Sequence, residues 1–152
     1  MTKEEALLKA QNICAQQEKC ESDIRKKLLD WKIDPLHVDE VIENLKETSF
    51  ISDERYALFF AKEKFNFNKW GKIKIEYSLK NKQINSALIQ KALEKIPEED
   101  YELTLQNQLQ KKLKGIKDTD VYVIKSKLAR YALSKGFESG KVFDMISEIL
   151  EK

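Results

Sequence analysis

The stretch SDERYALFFAKEKFNFNKWGKIKIEYSLKNKQI, residues 52–84, decides the fold. It joins a helix-start signal, an aromatic stripe, a run of lysines and a glycine-marked turn, in that order. Its apolar pattern recurs on both sides. Leu28, Ile33, Val38, Ile42 and Leu45 are followed at constant offset by Leu79, Ile84, Ile89, Leu93 and Ile96, and a slightly longer third copy offers Phe137, Val142, Ile146 and Ile149. The polar position after the second anchor matches as Asp34, Asn85 and Glu138. Such register points to one helical unit used three times, over residues 1–50, 51–97 and 98–152.

Helical spacing within each copy predicts three helices. In the first, Leu7, Ala10, Ile13 and Cys14 share a face from about Lys3 to Gln17. Cys20 to Asp23 mimics a capping box ahead of Ile24, Leu28 and Trp31. Asp34-Pro35 opens a third helix carrying Val38, Val41, Ile42 and Leu45. In the second, Ser52 caps, Gly71 breaks the pattern, Ile75 and Leu79 mark a short helix, and Asn85 caps the last. In the third, Glu98, Glu99 and Asp100 start a helix that stops near Gly115, Asp120 caps a long one to Ser134, and Gly136 turns the chain into the closing helix. No segment alternates with period two, so the expectation is all-α, without a sheet. Each unit has a thin core and short linkers near residues 48–52 and 96–99, which predicts weakly touching units in an elongated, curved array.

Composition narrows the class. With 4 Gly, 2 Pro and 36% charged residues the chain reads as helical and soluble. No apolar run reaches membrane-span length and the opening MTKEEALLKA has no signal-peptide pattern, so a cytoplasmic location is expected. Cys14 and Cys20 are read as reduced thiols, Cys14 in an apolar stripe and Cys20 near an exposed cap. The net charge of +2 is unevenly spread: 8 basic against 11 acidic residues in 1–50, 10 against 5 in 51–97, and 10 against 10 in 98–152. The positive field is thus assigned to the middle unit.

Catalysis finds little support. The single histidine, His37, stands on a polar helix face, the four glycines stand singly at turns, and Asp118 and Asp120 suit a turn and an N-cap. The lysines Lys62, Lys64, Lys69, Lys72, Lys74, Lys80 and Lys82 are different. An ordinary solvated face is their plainest reading, but only Glu63 and Glu76 interrupt them, and lysines beside aromatic rings suit phosphates or an acidic protein surface. Among the aromatics, Phe60 and Phe67 share the stripe of Ala57 and Ala61 and are assigned to the core. Phe59 lies opposite, either packed or in contact with a partner. Arg55 is read as a partner contact or a salt bridge, and Lys125, Lys127 and Arg130, with Tyr131, form a second basic face.

The order of motifs adds a resemblance. Asp53, Arg55, Tyr56, Ala57 and Phe60, then Gly71, Ile73, Ile75, Leu79, Lys82 and Ile84, preceded by Ala6, Leu7, Ala10, Ile13, Asp23, Ile24 and Leu28 and followed by Leu128, Leu133 and Lys135-Gly136-Phe137, resemble the RecX family, bacterial regulators of the RecA recombinase. Cys20 stands where that family usually has a serine cap, and Ser78 where an acidic residue is common. The resemblance implies a non-enzymatic regulator, without metal or cofactor. It would bind the RecA filament on single-stranded DNA and restrain strand exchange, ATP turnover and repressor self-cleavage. It also gives functional weight to the lysines above. The rival readings are a general nucleic-acid-binding module, disfavoured by near-neutral charge, and a helical scaffold joining two partners. A monomer is expected.

Overall fold

The computed structural model describes residues 1–151 and folds them into nine α-helices, with no strand among the described residues. These are α1 (Lys3–Gln16), α2 (Glu21–Asp30), α3 (Pro35–Glu47), α4 (Asp53–Asn66), α5 (Lys72–Asn81), α6 (Ser86–Glu94), α7 (Glu98–Lys114), α8 (Val121–Ser134) and α9 (Ser139–Glu151). They pack in consecutive triples, α1 and α2 on α3, α4 and α5 on α6, and α7 on both α8 and α9. The accessible surface of 9612 Å² exceeds the roughly 8,000 Å² expected of a compact 17.8 kDa monomer, so the triples form an extended array. None of the described helices is long and apolar enough to cross a membrane.

The helix starts follow from short polar side chains. Ser52 Oγ accepts from Arg55 N–H at 3.2 Å, Asp34 from Leu36 N–H at 2.9 Å, Asn85 from Ala87 N–H at 2.8 Å and Asp120 from Tyr122 N–H at 2.9 Å. Each satisfies one of the amides that a helix leaves unpaired at its first turn.

The three triples build two cores. The first triple closes on Ala6, Ala10, Ile24, Leu28, Val38, Ile42 and Leu45. The second and third share one continuous cluster, because Tyr101 is fully buried with its ring centroid 5.8 Å from Phe65 and 5.2 Å from Phe137. The expectation of weakly touching units therefore fails between the second and third. Two residue assignments change as well. Cys20 is fully buried and belongs to the second core, not to an exposed cap. Phe67 is 81% exposed, because the buried face of α4 runs through Ala57, Ala61 and Phe65, and Phe67, still helical, lies two residues or about 200° around from Phe65. Phe65 takes the core place, while Phe60 packs half-buried at its edge.

The middle helices of the triples end alike. After α2, α5 and α8 a residue in the left-handed region follows: Lys32 (φ 61°), Gln83 (φ 62°) and Gly136 (φ 97°). The next amide then reaches back, Ile33 to Leu28 O, Ile84 to Leu79 O and Phe137 to Ala132 O, each at 3.2 Å, closing the same C-cap three times. Each such end after the first sits on the start of the preceding middle helix. The end of α8 meets α5 through its backbone: Gly71 N–H donates to Lys135 O at 2.7 Å and Ile73 N–H to Gly136 O at 3.0 Å. The end of α5 meets α2 through side chains: Ser22 Oγ donates to Lys82 O at 2.6 Å and Lys82 Nζ to Asp23 at 2.6 Å.

Gly71 itself has an extended backbone (φ −77°), so of the two turn glycines only Gly136 uses the left-handed region. Gly71 is required for a different reason. A Cβ there would overlap the carbonyl of Gly136 and the amide of Phe137, and one on Gly136 would run into Lys74.

Candidate interaction surface

The seven lysines between residues 62 and 82 divide by what they touch. Those at the junctions are committed to the fold. Lys72 lies 4.8 Å from the Tyr101 ring centroid and 3.8 Å from Glu98, while its amide donates to Tyr101 Oη at 2.9 Å. The Tyr101 hydroxyl in turn donates to Glu138, and burial followed by that bond pushes its pKa up. Lys82 is paired with Asp23, which raises its pKa. Burial alone would push the Asp23 carboxyl up, but the bonds from Lys82 and the Cys20 amide outweigh it and hold it below its ordinary value.

Arg55 also belongs with the fold. Its guanidinium donates to Glu18 at 2.8 Å and to the carbonyls of Ser49 and Phe50 at 3.1 and 3.2 Å, clamping the linker between α3 and α4. Lys80 pairs with Glu76 one turn earlier at 2.9 Å, an exposed helical pair.

The remaining group gathers at the turn between α4 and α5. Lys64 Nζ and Lys74 Nζ lie 5.1 and 4.5 Å from the Trp70 ring centroid, and Lys64 lies 5.6 Å from Phe60. Phe60 stacks on Tyr56 at 5.9 Å and meets Trp70 edge-on at 6.3 Å, so one aromatic row carries both ammonium groups. Lys69 Nζ donates to Asn66 O at 2.7 Å, and Lys135, far away in sequence, reaches Asn68 O at 2.9 Å. None of these four lysines has a carboxylate partner among the described residues. Phe67 projects beside them. Lys62 stands apart, lining a groove with Leu58, Phe65, Ile96 and Pro97 near the second linker. Phe59, left open by the sequence, is half-exposed and lines a groove where α4 faces the first triple.

Sequence reasoning missed Lys135 at this turn. Its only signal was the Lys135-Gly136-Phe137 element, whose glycine is the one that permits the close approach to Gly71. On α8, Lys127 is paired with Asp118 at 2.5 Å, Lys125 faces α9, and Arg130 stands on the ridge between two grooves.

The fold and surface define a tandem three-helix repeat protein with a cation-aromatic face on its middle unit. Residues 52–93 match the second three-helix domain of RecX and residues 98–146 the third. The regulatory protein RecX of Clostridium acetobutylicum is 34% identical over 138 residues, covering 88% of this chain and 64% of that protein. Its counterpart in Clostridium beijerinckii is 34% identical over 134 residues, covering 87% and 62%. The crystal structure of RecX from Lactobacillus salivarius superposes with a TM-score of 0.89 at 19% identity, over 99% of this chain and 97% of that one. A second crystal structure of regulatory protein RecX gives 0.87 at 23%, covering 96% and 71%. The chain belongs to the RecX family, and spans somewhat under two thirds of the length of these clostridial relatives.

Proposed function

We propose that this protein binds the RecA filament on single-stranded DNA as a monomer, and restrains its recombinase, ATPase and coprotease activities without catalysing a reaction itself. The observation that carries the reading is the turn between α4 and α5. Four lysines without carboxylate partners surround Trp70 and the exposed Phe67, on the middle of an extended array. An isolated ammonium surface with adjoining rings suits an acidic, partly nucleic-acid target. An extended chain of linked modules can engage several filament protomers, and modest contacts add when geometry allows them together. Inhibition then follows from preference for one filament state over another.

The test is the rate of DNA-dependent ATP hydrolysis by the cognate RecA with a Lys64→Glu, Lys69→Glu, Lys74→Glu variant. Lys72 and Lys82 are left intact because they hold junctions. The expected outcome is loss of inhibition with an unchanged helical spectrum. A variant that slows the ATPase at wild-type concentration removes this surface from consideration.

A further inference from the structure

The third triple is neutral by count, yet its charge is segregated. Its acids stand at the start of α7 and along α9, whereas residues 111–135 hold eight basic side chains against Asp118 and Asp120 alone. The fold brings part of this run into one open groove of about 840 Å³ between the end of α7, the following loop and α8. Lys112, Lys117, Lys127 and Arg130 line it, and its one acid, Asp118, is already engaged by Lys127. Tyr131 forms part of the wall. Its hydroxyl is fixed by a 3.0 Å bond to Gln108, and Lys112 Nζ lies 5.3 Å from its ring centroid.

Favourable interaction with the negative end of a helix explains Lys112, which sits in the last turn of α7. It does not explain Lys117 in the loop or Arg130 within α8, and neither has an ion-pair partner among the described residues. Tyr122 adds a second observation. It opens α8 with 83% of its surface exposed, about 12 Å along the helix from Arg130.

We propose that this groove holds the phosphodiester backbone of a single-stranded nucleic acid, with Lys117 and Arg130 on phosphates and Tyr122 as an outlying base platform. Cations with an exposed ring further along the same helix favour a strand over an acidic protein segment, which needs no stacking surface. The groove is separate from the lysines around Trp70, of which only Lys135 belongs to this triple, so the chain can hold a strand with no recombinase present.

The test is fluorescence anisotropy of a labelled thymidine oligonucleotide titrated with the full chain alone. Lys117→Glu with Arg130→Glu should weaken binding at least about tenfold and lower the salt slope by about 1.4, at about 0.7 per single-strand contact. Lys64→Glu with Lys74→Glu, on the separate middle surface, should not reproduce that loss of affinity and slope. Unaltered affinity in the groove variant, or no binding by the wild type at low salt, overturns the proposal. So does displacement of the oligonucleotide by an equal charge concentration of oligoglutamate. Should the reversal disturb the helical spectrum, Lys117→Ala with Arg130→Ala must still lower affinity and slope. These readouts contain no RecA, so their failure is distinct from failure of the filament reading.

Discussion

The two junctions of the array solve one packing problem with different chemistry. In both, the C-terminal end of a middle helix sits on the N-terminal end of the middle helix before it, which sets complementary partial charges together. Between α8 and α5 the contact is backbone on backbone, with glycine on each side and a shared core behind it. Between α5 and α2 the places of Gly136 and Gly71 are taken by Gln83 and Cys20. The approach is bridged by Ser22, Asp23 and Lys82, with Cys20 as an apolar plug. Asp53 accepting from the Glu21 amide at 2.8 Å and the Arg55 clamp complete that second junction. One junction is fixed by main-chain geometry, and the other is held by groups that salt and pH can reach.

The largest expected effect comes from the backbone junction. Gly71→Val should cost about 3 kcal/mol or more, since the overlap is with main chain that cannot move aside, and thermal melting measures it. Gly136 separates two explanations. Were only its left-handed φ at stake, Gly136→Asn would be tolerated, because Asn adopts that region readily. The overlap with Lys74 requires Asn to fail as badly as Ala. A stable Gly136→Asn variant would break the comparison between the junctions.

Next in size is the plug. Cys20→Ala removes a fully buried sulfur and should cost about 1 to 2 kcal/mol in denaturant midpoint. Cys20→Gly, which imitates the equivalent Gly71, should not be better, because the side-chain junction has no backbone partner waiting to close the gap.

The side-chain junction should also be the one that titrates. The Asp23 pKa is depressed in the fold, so its contribution is present above the unfolded value of about 3.9 and is lost as pH falls through the lower folded value. Lys82 is raised, so its contribution is complete below about 10.4 and is lost as pH rises through the higher folded value. Asp53 opposes the acid loss. Its pKa is raised chiefly by burial, and protonation relieves that cost. Energy transfer between dyes at the exposed positions Leu8 and Gln90 should therefore hold steady through neutral pH and fall at the extremes. Lys82→Met should abolish the alkaline arm while costing about 1 kcal/mol or less, Lys82 being 43% exposed.

Much of this architecture was legible in the sequence because periodicity and caps are local. The apolar register located the helices, and Ser52, Asp34, Asn85 and Asp120 announced their starts. What stayed hidden depends on contacts between residues far apart in the chain. No local signal says that Gly71 faces Gly136, that Cys20 leaves its own triple for the neighbouring core, or that Lys72 and Lys82 are spent at opposite junctions. The lysine run was visible as charge, but its division into structural and uncommitted members needed the positions of Tyr101, Asp23 and Trp70. Phe67 was misassigned because the apolar stripe was drawn through Phe60, which packs only at the edge of the core, whereas the buried face runs through Phe65.

The smallest expected effect tests the same comparison from the permissive side. Lys32 and Gln83 occupy the left-handed position that Gly136 fills in the third triple, and both are exposed. A non-glycine residue there pays roughly 1 kcal/mol of backbone strain. Glycine would relieve it, but would add about 0.5 to 1 kcal/mol of unfolded-state entropy to be lost on folding. The two nearly cancel, so Gln83→Gly should leave the melting temperature within a degree or two of wild type, the shift corresponding to a few tenths of a kcal/mol. Gly136→Gln, the reverse exchange at the equivalent place, should be among the most damaging substitutions in the chain. An equal response to the two exchanges would mean that backbone conformation, rather than the close approach of α8 to α5, dictates where this repeat uses glycine.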